Sequence, residues 1–281
     1  MQSLTLPAPA KLNLFLHVTG RRPDGYHRLE SLFVALDYGD TVTLAGRDDG
    51  VIRRTSDLPG VEPEADLVVR AARALQRATG SGYGVDISVD KRIPAGGGLG
   101  GGSSDAATVL QGLNRLWQLG LSREALMAVG LTLGADVPFF VFGQPALAKG
   151  VGEELTAVTL PPLWVAVIAP AVNVPTATIF AAPELTRDTP SGKMCLFSEG
   201  HGRNDLQSVA IARFPEIAEA LRFLEKRTST ARMTGSGGCV FATFAFEAEA
   251  TAALEGLSDA LPAARGFVAR TISRHPLFAF A

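Results

Sequence analysis

Hydrophobic and polar positions follow two periods along this chain. Period two governs Leu12-Asn13-Leu14-Phe15-Leu16-His17-Val18 and Val85-Asp86-Ile87-Ser88-Val89-Asp90, so both read as half-buried strands. Further strands are expected at 32–36, 40–45, 50–54 and 266–272, and an apolar run from Leu163 to Ala169 predicts a buried one. Helical spacing governs 64–79, where Leu67, Ala71, Ala74, Leu75 and Ala78 share one side. Glu62, Glu64 and Asp66 favour its start and Gly80 its stop. Ala106, Leu110, Leu113 and Trp117 mark a second helix, and a third runs from a Ser122 cap to about Leu133. The segment 173–180 begins as a turn and continues as a helix. Asn204 is expected to cap a helix to about Phe214, and Pro215 to start another with Ile217, Leu221 and Leu224 inward. A last helix is expected at 247–256, while residues 183–203, rich in Pro, Gly and charge, read as a mobile excursion.

Pro161-Pro162 breaks the chain ahead of the buried strand and predicts two domains, 1–160 and 161–281, in an α+β arrangement. A hydrophobic content of 47% supports a full core. A net charge of −2 offers no general attraction for nucleic acid or membrane, so any anion binding must be local. Cys195 and Cys239 form no disulfide framework and suit a reducing compartment. The N-terminus lacks the basic and apolar regions of a signal peptide, and the run Leu163–Val172 is too short to span a bilayer and holds Pro170. These features read as a cytoplasmic protein; no pattern specifies an oligomeric state.

Between the strand at 85–90 and the helix after it lies Pro94-Ala95-Gly96-Gly97-Gly98-Leu99-Gly100-Gly101-Gly102-Ser103-Ser104-Asp105-Ala106-Ala107. Glycine permits positive φ and close backbone approach. Ser103 and Ser104 are good helix caps, and Asp105 suits the positive end of the helix. Bare amides at a helix start suit phosphate. Gly96, Gly98 and Gly101 satisfy the dinucleotide glycine pattern, but the segment about twenty residues on is a helix end rather than an acidic strand. Gly102 precedes Ser103 where a Walker loop needs lysine. The valine and the downstream motifs of a protein kinase are missing as well.

Other residues stand out singly. Lys11 and Asn13, two apart on a strand, put an ammonium and an amide on one face. Pro23-Asp24-Gly25 is a strong turn signal, followed at once by Tyr26 and His27, either an exposed hairpin tip or an aromatic platform for a flat ring. Asp136 is the one acid in the apolar stretch Gly134-Ala135-Asp136-Val137-Pro138-Phe139-Phe140. Gly134 can end the preceding helix, and Pro138 should prevent a smooth restart. An enclosed carboxylate needs a partner, and Lys11 is a candidate. Thr234-Gly235-Ser236-Gly237-Gly238-Cys239 is a second glycine loop, readable alone as a bulged hairpin.

Together, Pro9-Ala10-Lys11-Leu12-Asn13-Leu14-Phe15-Leu16, the loop at 94–107, Gly134-Ala135-Asp136-Val137-Pro138 and the second glycine loop resemble the motifs of the GHMP kinases, small-molecule kinases of galactose, homoserine, mevalonate and phosphomevalonate. The likeness runs from about residue 7 to the end. It implies an N-terminal domain like the second domain of ribosomal protein S5, a ferredoxin-like C-terminal domain, and a cleft between them for ATP and substrate. Asp136 matches the family's catalytic aspartate and Lys11 its catalytic lysine, while Pro94 to Ser104 match the ATP-binding segment. Arg22-Pro23-Asp24-Gly25-Tyr26-His27 and Leu36-Asp37-Tyr38-Gly39-Asp40 resemble the branch whose alcohol carries a cytidine diphosphate. In that branch the γ-phosphate of ATP goes to the 2-hydroxyl of a methylerythritol unit. Tyr26 then matches the ring that stacks on cytosine, and His27 the residue that bonds its edge. Asn13, Thr176 and Phe180 resemble further substrate contacts. Mg²⁺ is implied with ATP, but the glutamate that holds it in some relatives has no counterpart motif here, which leaves Ser103 or Ser104 by analogy. Two alternatives stay open: a GHMP kinase of another alcohol, and a nucleotide-binding regulator on the same fold. The Tyr26-His27 segment argues against the first, and the joint presence of Lys11 and Asp136 against the second.

Overall fold

The structure, a computed structural model, describes residues 2–23, 25–191 and 202–280. Cys195 and the middle of the excursion expected at 183–203 lie outside the described residues. The chain opens with β1 (Ser3–Arg21) and β2 (His27–Arg47), two long antiparallel strands. The segments 32–36 and 40–45, expected as separate strands, are thus parts of one continuous strand. Register shifts between Pro9 and Lys11, Asn13 and Leu16, and Val18 and Gly20 interrupt the ladder, as β-bulges do where a strand pair bends. Then follow β3 (Ile52–Arg54), α1 (Leu67–Thr79), β4 (Gly84–Asp90), α2 (Gly101–Leu116), α3 (Arg123–Leu131) and α4 (Val137–Phe142). Left-handed Gly80 ends α1 as expected, but the helix starts at Leu67 rather than 64, with Asp66 as its cap accepting from the Val68 amide. Ala106, Leu110, Leu113 and Trp117 of the α2 region are all buried against the sheet.

A hairpin that the pattern does not announce follows, β5 (Ala146–Lys149) and β6 (Glu154–Ala157). β5 pairs with β2 at Ser31–Phe33. Its four-residue strands are too short for alternation to register.

The second half contains β7 (Trp164–Ala169), α5 (Thr176–Phe180), α6 (Gln207–Arg213), α7 (Pro215–Glu225), β8 (Arg232–Met233), β9 (Val240–Phe244), α8 (Glu247–Ala252), α9 (Leu257–Ala260) and β10 (Arg265–Ile272). Helices cover one face of the β10-β7-β9-β8 sheet through Ile168, Val209, Leu221, Met233 and Val240. The other face meets the first-half strands, where Leu12, Leu14, Leu32 and Val34 pack with Val165, Val167 and Phe241. The sheets join where Thr271 and Ile272 of β10 pair with Leu36 and Ala35 of β2. Leu277 then returns to the first-half core.

Several boundaries depart from expectation. Asn204 caps nothing directly: its Oδ1 accepts from the Leu206 amide one turn ahead of α6. The helix at 247–256 divides at 253–256, where left-handed Gly256 opens α9. Pro138 does not keep helix from resuming but sits in the first turn of α4, where no backbone donor is required.

Candidate active site

The glycine loop between β4 and α2 is held from below. Asp40 Oδ1 accepts the amides of Arg92 and Ile93 at 2.6 and 2.7 Å, fixing the chain just before Pro94. Lys91 bridges Asp40 and Asp105, lying 2.7 Å from Asp105 Oδ2. Burial, offset in part by Lys91, pushes the Asp105 carboxyl up to about 7. Asp105 therefore serves an ion-pair cluster under the loop, not simply the helix end. The cap is also displaced: α2 begins at Gly101 after left-handed Gly100, and neither Ser103 nor Ser104 caps it. Ser104 is fully buried, with no hydrogen bond to its hydroxyl, and Leu99 is in the core. Gly96, Gly98 and Ser103 face the cavity.

Two of these glycines are required by close approach. A Cβ on Gly98, at φ 76°, would sit 2.5 Å from the Thr234 carbonyl oxygen. A Cβ on Gly100, at φ 72°, would sit 3.0 Å from both Lys11 Cγ and the Phe140 ring. The two glycine loops lie against each other, and the Cys239 amide donates to the Gly97 carbonyl at 3.0 Å. The second loop is a hairpin connection between β8 and β9, as its sequence suggests, and it also braces the first. Asn204 Nδ2 supports it by donating to the carbonyls of Met233 and Gly235.

Lys11 stands within β1 and is only 3% exposed. Its amide donates to the Leu99 carbonyl at 2.9 Å, which ties the strand to the loop. Its Nζ donates to Asn13 Oδ1 at 2.6 Å and lies 3.3 Å from Asp136 Oδ2. Asn13 Nδ2 donates to Ser31 Oγ, Ser31 Oγ to the Phe15 carbonyl, and the Asn13 amide to Thr234 Oγ1. The amide that orients the Lys11 ammonium is thus itself oriented. Asp136, just before α4, is not enclosed as its neighbours suggest; its side chain is 34% exposed and opens on the cavity. It caps no helix amide, which leaves its oxygens for Lys11 and a ligand.

The cavity is about 330 Å³ and is lined by Lys11, Asn13, Ser103, Asp136, Gly96 and Gly98 among others. A second, of about 570 Å³, holds Tyr26 and His27. Leu29, Ala135, Val151, Thr176 and Phe180 line both, so the two are compartments of one cleft. Tyr26 is 66% exposed, with its ring at the cavity edge. The His27 ring lies 5.1 Å from that of Phe180, and Thr176 Oγ1 bonds Ser236 Oγ at 2.7 Å. Burial first, then the Arg187 and Arg21 guanidiniums, hold the His27 imidazole below its usual value. The structure therefore brings Lys11, Asn13, Ser103, Asp136, Tyr26, His27, Thr176 and Phe180 to one cleft. Sequence reasoning missed Ser31, Asn204 and Arg187, whose roles depend on partners far along the chain. Thr234 was visible only as part of the second glycine loop.

The GHMP kinases N terminal domain model matches residues 66–144, and the GHMP kinases C terminal model residues 190–263. A protein of Thiobacillus denitrificans named 4-diphosphocytidyl-2-C-methyl-D-erythritol kinase is 57% identical over 278 residues, covering 99% of each chain. The chain belongs to the GHMP kinases. A protein of the same name from Aromatoleum aromaticum is 58% identical over 272 residues, 96% of this GHMP kinase and 94% of that protein. The crystal structure of a 4-(cytidine 5'-diphospho)-2C-methyl-D-erythritol kinase superposes with a TM-score of 0.80 at 34% identity, over 95% of this chain and 99% of the other. A homoserine kinase from Cytophaga hutchinsonii shares the fold, with a TM-score of 0.73 at 17% identity, over 98% and 96% of the two chains.

In this GHMP kinase no group of three or more His, Cys, Asp or Glu suited to a metal occurs among the described residues. Mg²⁺ keeps several waters and takes phosphate oxygens, so one or two protein oxygens suffice. Ser103 Oγ, on the cavity, fits that limited demand. Among the described residues no helix is long and apolar enough to cross a membrane.

Proposed function

We propose that this enzyme transfers the γ-phosphate of ATP to the 2-hydroxyl of 4-diphosphocytidyl-2-C-methyl-D-erythritol, a step toward isoprenoid precursors outside the mevalonate route. The observation that carries the reading is the single cleft. The Lys11–Asp136 pair shares one compartment with Gly96, Gly98 and Ser103, and this opens on the compartment of Tyr26 and His27.

In this reading ATP lies along the Pro94–Ser104 segment with its phosphates on the loop amides. Mg²⁺ would be held by Ser103 and phosphate oxygens, and it supplies neutralisation of phosphate charge. The cytosine stacks on Tyr26 near His27 and Phe180, while Asn13 and Thr176 line the path of the remaining chain. The alcohol oxygen attacks the γ-phosphorus, its proton passes to Asp136, and the bond to the ADP oxygen breaks. Such a base typically contributes about 10²–10⁴-fold. Lys11 meets the charge on the transferring phosphoryl group, where positioning and electrostatics dominate. We place the domain boundary near residue 160, so that the cleft takes its loop and base from 1–160 and Thr176, Phe180 and Ser236 from 161–281. A reducing, cytoplasmic setting suits the buried Cys239 thiol, which burial pushes up to about 12.

A coupled ADP-release assay across candidate alcohols tests the reading. We expect turnover of the cytidine diphosphate substrate and at least about 100-fold lower kcat/KM for methylerythritol 4-phosphate, because remote binding energy positions the reacting hydroxyl. Equal rates on the two, or faster turnover of homoserine or mevalonate, would overturn it.

A further inference from the structure

Arg187 spends its donors on one wall of the cleft. Its Nε–H donates to His27 Nε2 at 3.0 Å. Its Nη1 donates to the Leu185 carbonyl at 2.9 Å, and its Nη2 to the carbonyls of Phe180 at 3.0 Å and Ala182 at 2.6 Å. It therefore holds both members of the tilted His27–Phe180 pair, one by its ring and one by its backbone at the end of α5. Arginine has donors and no acceptor. A nitrogen that accepts from Arg187 must carry a lone pair, so His27 Nε2 is unprotonated. A neutral imidazole then has its proton on Nδ1, opposite to the tautomer that free histidine favours. No hydrogen bond to Nδ1 forms among the described residues, so the nitrogen left for a ligand is a donor.

We propose that Arg187 is a positioning residue that fixes His27 as its Nδ1–H tautomer and thereby makes the aromatic compartment select a base whose edge offers an acceptor. Resting on the reading that this compartment takes the cytidine end, the inference singles out the ring nitrogen. Cytosine N3 is an acceptor; uracil N3 carries a proton and would meet His27 donor to donor. A single buried hydrogen bond left unmade typically costs about 1–3 kcal/mol, or roughly 5–150-fold.

The experiment has three arms on the full chain. Long-range ¹H–¹⁵N NMR of the unliganded protein reads the His27 tautomer without any substrate; Nδ1–H is expected, and Nε2–H or an imidazolium at neutral pH overturns the proposal. Calorimetric titration compares cytidine and uridine 5′-diphosphates; at least tenfold tighter binding of the cytidine compound is expected, and equal affinity overturns it. Arg187→Met should raise the KM for the cytidine substrate at least tenfold, with kcat and the KM for ATP within about twofold. The same change made in His27→Ala should cost little, because the two residues act as a unit; additive losses would show a merely structural role. If Arg187→Met fails to fold, the first two arms decide on the native protein. Failure of the functional reading shows separately, as native enzyme that does not turn over the cytidine substrate while the tautomer is read as before.

Discussion

Lys11 Nζ and Asp136 Oδ2 lie 3.3 Å apart, although 125 positions separate the two residues in the chain. The ammonium is also fixed by Asn13, so it cannot follow the carboxylate away from the loop. This pair gives the reaction a base and a cation at one point of the cleft.

Asp136→Asn should fold and bind ATP but lose about 10²-fold or more in the chemical step, as expected for removal of a general base. Asp136 caps no helix amide, so its change leaves α4 intact. Single-turnover rates decide it; a variant within about threefold of native would take Asp136 out of that role.

Lys11→Met should lose turnover while ATP affinity falls only modestly, since the amides of the glycine loop carry ground-state phosphate binding. Equilibrium ATP titration checks this. A loss beyond about 100-fold, or about 2.7 kcal/mol, would make Lys11 chiefly a binding residue.

Gly98→Ala should damage the loop rather than the chemistry. The residue has φ 76°, and a Cβ would press on the Thr234 carbonyl at 2.5 Å. A left-handed alanine alone costs roughly 1–2 kcal/mol, before any clash with fixed backbone is counted. We expect a KM for ATP raised at least tenfold and a lowered midpoint of thermal unfolding. Unchanged values for both would mean that the loops part easily.

Tyr26→Ala should lower kcat/KM for the cytidine substrate about 5–150-fold, the equivalent of about 1–3 kcal/mol of base stacking. Tyr26→Phe keeps the ring face and should cost little. Steady-state kinetics with both substrates varied will show whether the loss falls on the alcohol; a raised KM for ATP alone would assign Tyr26 to the nucleotide donor.

Stability should fall between pH 7 and pH 5 in a way that depends on His275. This ring is buried, accepts the Leu277 amide on Nδ1 at 3.0 Å, and has no partner for Nε2 among the described residues. Burial, with Arg123 nearby, lowers its value to about 4. The unfolded chain thus takes up a proton near pH 6.5 that the folded chain refuses. The native state is fully favoured above that range and loses ground as pH falls toward 4. Linkage gives a loss on the order of 2 kcal/mol by pH 5. Denaturant unfolding at the two pH values, compared with His275→Gln, isolates the contribution; equal slopes in both proteins would refute it.

Legibility in the sequence followed the range of the interaction. The stop of α1 at Gly80 and the inward faces of α2 and α7 depend on neighbours a few residues away, and each was readable, whereas the acids at 62–66 marked the start of α1 only to within a turn. The short β5–β6 hairpin and the fusion of two segments into β2 were not, because pairing partners settled them; the restart of helix at Pro138 was misjudged although proline suits a first helical turn. Ser103 and Ser104 looked equivalent; helix rotation from a start at Gly101 turned the first to the cavity and buried the second.

The sequence by itself determined the loop chemistry, the presence of Lys11, Asp136, Tyr26 and His27, and the family resemblance they carry, because glycine runs, turns and strand alternation are local in origin. Only the tertiary structure decided that Asp136 opens on a cavity, that the two glycine loops brace each other, and that Arg187 reaches His27. Those relations join residues from 125 to 160 positions apart. They exist only after packing of the two sheets has compensated the entropy of bringing such distant segments together.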